Sequence, residues 1–176
     1  MKKYKIIGIF ALFLLSFLWH FGYDILPNFF TSILFPVNES IWEHMKIFWG
    51  VILFYGIIEY FLLKRENIKV SNYLLKLVIM AFLSIFIFLI IYLPIYNLFG
   101  ENFVITIILM FITYIIIKYI SYRLFKLEEK RTLIILPIFL IILIYFIFGF
   151  LTYNPPKNYI FYDTQTGNYG IEKETK

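Results

Sequence analysis

Five long apolar runs constrain the fold of this chain more than any other feature. They extend over residues 6–26, 41–63, 74–98, 103–122 and 132–153. About 20 helical residues are enough to cross the roughly 30 Å hydrocarbon core of a bilayer. A backbone within that core must satisfy its own hydrogen bonds, which favours helices. The sequence therefore predicts an all-α, polytopic transmembrane bundle of about five spans over residues 1–153, followed by a polar tail over residues 154–176.

The composition excludes an ordinary soluble domain. Hydrophobic residues make up 62% of the 176 residues, and only 15% are charged, whereas about a quarter of a typical soluble chain is charged. The lipid bilayer is thus the predicted partner. No segment forms a soluble domain large enough to bind nucleic acid, despite the net charge of +5. The absence of cysteine rules out disulfides, thiolate metal sites and cysteine nucleophiles. A homo-oligomer or a membrane-protein partner stays open.

The charge distribution predicts how the chain lies in the membrane. Cations cluster at the N-terminus, between the second and third runs and around the end of the fourth, whereas the loops over residues 27–40 and 99–102 carry none. By the positive-inside rule, the cationic side is cytoplasmic. We therefore expect a multi-pass protein of the cell membrane with a cytoplasmic N-terminus and an extracytoplasmic tail. The clustered cations are Lys2, Lys3, Lys5, Lys64, Arg65, Lys69, Lys76, Lys118, Arg123, Lys126, Lys130 and Arg131.

Polar residues concentrate at the outer ends of the first two spans. In the first span, Ser16, His20 and Asp24 follow one another at intervals of four and share a helix face. An ionisable residue at the centre of a span costs about 2.5–3.5 kcal/mol, and less near the interface, so such a concentration needs a reason. The sequence predicts an outward-facing binding site between the two spans. Its candidate residues are His20, Asp24, Asn38, Glu39, Glu43, His44 and Lys46.

A structural network explains part of this concentration. Ser40 and Glu43 have the spacing of a helix capping box. Lys46 lies one turn from Glu43, which allows an ion pair. His20 could pair with Asp24 in the same way. On this interpretation, the polar groups lock the first two spans together.

Two functional hypotheses compete with the structural one. In one, the site binds or transports a polar solute, an ion or a proton, since histidine titrates near neutral pH. In the other, His20, Asp24, Glu43 and His44 hold a divalent metal for a membrane-embedded hydrolase, although Glu43 and His44 point about 100° apart on a helix. The first is favoured. The binding or transport hypothesis requires no cofactor and identifies no catalytic residue, and it does not favour an enzyme.

Two further features lie outside this site. Glu59 stands one turn before Lys64 and Arg65, which predicts an interfacial ion pair. In the tail, residues 159–162 and 168–171 read as short strands around a turn, which predicts a β-hairpin. An isolated hairpin is barely stable. It should therefore dock over the outer face formed by residues 36–44, and a disordered tail is the alternative.

The motif Pro-Val-Asn-Glu-Ser-x-Trp-Glu-His at residues 36–44 resembles the hallmark of a family of small bacterial integral membrane proteins. That family is known as a domain of unknown function. Residues 153–156, 161–163 and 169–171 resemble the C-terminal end of the same family. The resemblance spans nearly the whole chain. It implies a membrane bundle and a bacterial source, and it brings no activity or catalytic residues.

Overall fold

The computed structural model describes residues 2–128 and 133–171, which contain seven α-helices and no strand. Five of the helices are long and apolar enough to cross a membrane, as expected of a multi-pass protein. The all-α architecture is thus confirmed, whereas the membrane boundaries of the spans stay predictions. The helices are α1 (Lys2–His20), α2 (Gly22–Ile25), α3 (Phe29–Leu34), α4 (Ile41–Arg65), α5 (Tyr73–Phe99), α6 (Phe103–Leu124) and α7 (Ile135–Tyr153).

Helices α1, α4, α5 and α6 form a ring in which each contacts the next, and α7 packs outside it against α5 and α3. Helix α4 supplies more of the core than any other helix, including Trp49 and Val51, which are fully buried. A Cβ atom on Gly50 would lie 2.4 Å from the ring of Trp19, so this glycine allows the close approach of α1 to α4. The outward faces of the helices are rich in exposed Ile, Leu and Phe. That pattern suits contact with lipid rather than water.

The first predicted span differs from the helix that forms there. Helix α1 ends at His20, and the short helix α2 follows after Phe21. A Cβ atom on Gly22 would lie 2.5 Å from the ring of Phe35, so the connection folds back over the end of the bundle. Asn28 then caps α3 by accepting from the amides of Phe30 and Thr31. The predicted start of the last span, residue 132, lies outside the described residues.

The connections gather at two opposite ends of the bundle. At the first, which we call the cationic end, Lys3 Nζ lies 2.9 Å from Glu66 Oε1, and Lys76 Nζ donates to the carbonyl of Leu127 at 2.5 Å. The N-terminus, the α4–α5 connection and the end of α6 therefore lie together. The second, which we call the loop end, comprises residues 21–40, 100–102 and 154–171, and the candidate site lies there.

The predicted β-hairpin of the tail is not supported. A single antiparallel bridge joins Tyr162 to Tyr169, and no strand forms in residues 154–171. The reason is local, because the buried carboxylate of Asp163 organises the turn. It accepts from the amide of Gln165 at 2.9 Å and from the hydroxyl of Thr166 at 2.7 Å. These side-chain bonds favour a compact turn over an extended ladder.

The tail nevertheless docks where it was expected to dock. The amide of Trp42 donates to the carbonyl of Ile160 at 2.9 Å, and Asn38 Nδ2 donates to the carbonyl of Gly170 at 3.0 Å. The rings of Trp42 and Phe161 stack with centroids 4.9 Å apart. Residues 172–176 lie outside the described residues. The part of the tail that the structure describes thus covers the start of α4.

The predicted partners of Glu59 are wrong. Its carboxylate Oε1 lies 2.5 Å from Lys118 Nζ on α6, and both side chains are buried, whereas Lys64 and Arg65 are exposed at the end of α4. Gly8 on α1 makes room for this pair, since a Cβ atom there would lie 2.5 Å from Lys118 Cε. The pairing therefore depends on the packing of three helices, which local spacing does not show.

Candidate metal centre

Three side chains meet at the loop end, and we call them the His–Glu–His triad: His20, Glu39 and His44. His20 is the last residue of α1, Glu39 precedes the N-cap of α4, and His44 lies in the first turn of α4. The Nε2 atom of His20 is 3.3 Å from the Glu39 carboxylate, and that of His44 is 3.4 Å from it. One ligand atom from each residue lies within 4.8 Å of the others. All three side chains are half-buried.

The chain before α4 fixes the position of Glu39. Ser40 caps α4, because its hydroxyl accepts from the amide of Glu43 at 3.3 Å. The amide of Ser40 in turn donates to Asn38 Oδ1 at 3.0 Å, and Asn38 is bonded to the tail. The predicted N-cap is therefore present, but Glu43 does not return the second bond of a capping box. Asn38, a predicted binding residue, holds the loop rather than joining the triad.

The hydrogen bonds of His44 determine which of its nitrogens is available. Its Nδ1 lies 2.9 Å from the carbonyl oxygen of Ser40. A carbonyl can only accept, so this nitrogen carries the hydrogen, and in the neutral ring Nε2 keeps a lone pair. That lone pair points at Glu39, whose oxygens also accept. The contact becomes favourable when a proton or a metal cation lies between them, and a backbone bond at the other nitrogen is typical of histidine ligands.

Glu39 supplies the negative charge of the triad. Its pKa lies well below its ordinary value, because hydrogen bonds from the Nε2 atoms of His20 and then of His44, when those atoms carry hydrogens, stabilise the carboxylate, although burial opposes them. The group is therefore anionic at neutral pH. His20 has an unsatisfied polar atom, since its Nδ1 is buried and has no hydrogen-bond partner among the described residues.

The spacing within the triad suits a tetrahedral metal ion. Two ligands about 2.1 Å from a tetrahedral zinc ion lie about 3.4 Å from each other. The distances from Glu39 to the two histidines, 3.3 and 3.4 Å, agree with that value. They are long for hydrogen bonds, whose lengths cluster at about 2.9 Å. Two imidazoles and one carboxylate would leave the fourth position of zinc open.

A cavity of about 140 Å³ adjoins the triad. The polar residues that line this cavity are those of the triad and Glu101, Thr106 and Gln165. Most of its other lining side chains are apolar. Ser16 also lines it, but its hydroxyl is bonded to that of Tyr114 at 2.6 Å. The apolar lining comes from Phe17, Phe21, Ile41, Ile47, Phe88, Tyr92, Phe103, Ile107 and Met110.

A second polar group, which we call the lysine cluster, lies beside the triad and consists of Ser32, Glu43, Lys46 and Thr152. Lys46 Nζ donates to Glu43 Oε2 at 2.5 Å, to the carbonyl of Ser32 at 2.7 Å and to Thr152 Oγ1 at 2.7 Å. Glu43 also accepts from the hydroxyl of Thr152 at 2.8 Å and from the amide of Val37 at 3.1 Å. The ion pair of Glu43 and Lys46 is thus present, and the cluster joins α3, α4 and α7.

Comparison with known proteins identifies a family for this chain. The chain matches the model of a family of unknown function, DUF6512, over residues 1–171. It belongs to that family. No curated protein and no solved structure matches it. The expected membership of an uncharacterised family is therefore confirmed, whereas the hallmark role of the motif at residues 36–44 and the bacterial source stay predictions.

The structure of this DUF6512 chain brings two of the four predicted metal ligands together and places the other two elsewhere. His20 and His44 come together, with their rings 5.4 Å apart. Asp24 lies exposed on α2, because the helix breaks after His20 and removes the expected four-residue relation. Glu43 points away from His44 into the lysine cluster, as expected for adjacent residues on a helix. Glu39, predicted only as a binding residue, takes the place of the carboxylate ligand.

Several site residues of the DUF6512 chain had little or no signal in the sequence. Thr152 sits within the apolar run of α7, where a lone threonine is unremarkable in composition. Glu101 lies in the α5–α6 connection and Gln165 in the tail, and only the fold brings them to one cavity. The hydroxyl of Thr164 also donates to Glu101 Oε2, which ties the tail to the α5–α6 connection. An acidic residue in that short loop was the one available hint.

Proposed function

We propose that this DUF6512 chain is an integral membrane protein that binds a divalent metal cation at the His–Glu–His triad. The observation that carries the proposal is the geometry of one carboxylate set between two imidazole nitrogens at 3.3 and 3.4 Å. Imidazole and carboxylate ligands of this number suit zinc. The site is a particular form of the ion-binding site expected between the first two spans.

The interior of the bundle suits the binding of an ion better than the passage of an ion through the membrane. Below the triad the core is closed by Phe48, Trp49 and Tyr114, which are at most 2% exposed. A transported ion would need a polar path or a rearrangement of these rings. The packed core therefore supports a resident metal, and transport of a polar solute is the less favoured hypothesis.

A metal-dependent hydrolase is the second candidate function. It is favoured by the cavity, which adjoins the position that three protein ligands would leave open on zinc. Catalytic zinc sites commonly have three protein ligands and a water, whose pKa falls to about 7. Glu101 would place a second carboxylate beside that water as a general base. A purely structural membrane subunit is the function that remains if no metal binds.

Metal analysis tests the proposal. Protein purified in detergent, stripped with a chelator and titrated with Zn²⁺ should bind one ion per chain. The variants His20→Ala, Glu39→Gln and His44→Ala should lose that binding, whereas Asp24→Asn should retain it. Asp24 is a matched control, because it is an exposed carboxylate on α2, the short helix that follows His20. A folded wild-type protein that binds no zinc would overturn the proposal.

We also propose that the loop end faces the outside of the cell membrane and that the N-terminus is cytoplasmic. The support is the distribution of charge, since Lys64, Arg65, Lys69, Arg123 and Lys126 all lie at or near the cationic end. A reporter fused after residue 176 should read as external, and one inserted within residues 66–71 as cytoplasmic. The reverse pattern would invert the topology and place the triad on the cytoplasmic side.

A further inference from the structure

We infer that the ligand of the metal site is an amphiphile whose apolar chain enters the cavity and whose oxygen-bearing head reaches the open position of the metal. This inference rests on the proposed metal binding and names the class of ligand for the same site. Its carboxylate or ester head could belong to a free fatty acid or to a membrane lipid. The occupant is therefore lipid, not peptide or nucleic acid.

The chemistry of the cavity wall supports an apolar occupant. Away from the triad, the wall is formed largely by apolar side chains such as Phe88 and Met110, and the Ser16 hydroxyl there is already bonded to that of Tyr114. A polar solute would find few partners there, whereas an apolar group would lose no hydrogen bonds. The volume of about 140 Å³ resembles that of an engineered apolar cavity of about 150 Å³ that accepts benzene.

The rim of the cavity supports entry from the bilayer. Phe21 and Phe103 line it and expose 52% and 74% of their surface. Phe21 follows α1 directly, and Phe103 begins α6, the helix that also carries the outward-facing Ile108, which is 52% exposed. A chain could therefore slide in from the apolar layer without crossing water. The head would stay near the membrane surface, where the triad lies.

The polar groups are placed for a head rather than for a chain. Glu39, Glu101 and Gln165 line the cavity together with the two histidines. Without a cation, two carboxylates would repel an anionic head. A bound divalent ion reverses that preference by supplying an open position for a carboxylate or ester oxygen. The metal site and the apolar cavity thus form two halves of one amphiphile site.

Photolabelling tests this inference. Zinc-loaded protein in lipid nanodiscs would be irradiated with hexanoic acid that carries a diazirine at its methyl end, a chain that matches the cavity volume, and in a second arm with phosphatidylglycerol carrying the same chain. We expect labelled peptides that contain Phe88 or Met110. The arm that labels more strongly identifies the free acid or the lipid as the source.

Filling the cavity supplies the matched comparison. Ile107→Trp places bulk in the cavity, and Ile108→Trp places it on the outward face of the same helix. The first should weaken labelling of the cavity peptides about tenfold, the equivalent of losing about two buried methylene groups. The second should leave labelling unchanged. Met110→Phe is a milder cavity variant, for use if the tryptophan disturbs folding.

Zinc stoichiometry, measured on every sample, separates the two proposals. Zinc bound at one ion per chain, with labelling spread over the outer faces and insensitive to Ile107→Trp and Met110→Phe, would overturn the amphiphile and leave the metal site standing. Cavity labelling that is the same in zinc-free protein and in His44→Ala would also overturn the inference, because the head would not depend on the metal. Failure to bind zinc at all would overturn the proposed function itself.

Discussion

The triad and the lysine cluster share the first two turns of α4 but differ in how completely protein atoms satisfy them. In the lysine cluster, Lys46 and Glu43 are at most 1% exposed, and their contacts to partners are as short as 2.5 Å. In the triad, the side chains of His20, Glu39 and His44 are 25%, 27% and 19% exposed, and their contacts are 3.3–3.4 Å long. One group is complete, and the other has room for an ion.

The difference follows from the number of donors and acceptors in each group. An ammonium group has three hydrogens, and Lys46 gives them to a carboxylate, a carbonyl and a hydroxyl. It has nothing left for a ligand, so the lysine cluster serves structure. The triad sets lone pairs and a carboxylate against one another beside a cavity. Two polar groups at one end of the bundle can therefore differ in how completely protein atoms satisfy them, and proximity alone does not make a residue functional.

The largest expected effect is on the lysine cluster. Lys46→Met should lower the free energy of unfolding in detergent by about 3–5 kcal/mol, because it leaves the buried carboxylate of Glu43 without its charge partner. Lys64→Met, at the exposed end of the same helix, is the control. The double variant Glu43→Gln, Lys46→Met should lose less than the sum of the single losses, by more than about 0.5 kcal/mol. Additive losses would show that the pair does not interact.

A smaller loss is expected at the cationic end. Glu59→Gln should cost about 1–3 kcal/mol, because it leaves the ammonium of Lys118 without a charged acceptor among buried side chains. Thermal unfolding in detergent measures this loss. Glu66→Gln is the matched control, since its partner Lys3 and the carboxylate are both exposed. Equal losses for the two variants would contradict the assigned burial of the Glu59 pair.

The cover formed by the tail should have a smaller effect again. Phe161→Leu removes the stacking on Trp42 and should cost about 0.5–1.5 kcal/mol of stability. It should also increase the reactivity of His44 toward an imidazole-modifying reagent, because the docked tail covers the start of α4. Tyr159→Leu, which changes an exposed ring, should change neither quantity. Unchanged reactivity and stability in Phe161→Leu would indicate that the tail does not protect this end.

The smallest effect on stability is expected at the triad without metal. His20→Ala should cost less than about 1 kcal/mol in chelator, because its pair with Glu39 is partly exposed and long. With zinc present, the wild type should be clearly more stable than His20→Ala, since free zinc at 100 times its dissociation constant stabilises the wild type by about 2.7 kcal/mol. Thermal unfolding with and without zinc measures both effects. A large loss of stability for His20→Ala in chelator would show that the triad, like the lysine cluster, stabilises the fold.

The helices were predictable because a bilayer imposes a simple requirement on sequence. Predicted runs such as 41–63 and 103–122 lie within helices Ile41–Arg65 and Phe103–Leu124. The break after His20 was not predicted, since the apolar run continues through it. It depends on the loop over residues 21–40, whose packing against the end of the bundle involves Phe35. Hydropathy indicates whether a segment is surrounded by lipid or by water, but it does not show the tertiary contacts that bend the segment.

The sequence by itself determined the all-α membrane architecture, the polar end of the first two spans, and the ion pair of Glu43 and Lys46, because each depends on composition or on spacing within one helix. Only the tertiary structure decided that Glu39 rather than Asp24 or Glu43 joins the two histidines. It also chose Lys118 as the partner of Glu59 and brought Thr152 to Lys46. These pairings join atoms from separate elements, and their distances depend on how helices and loops pack. No local period in the sequence encodes that packing.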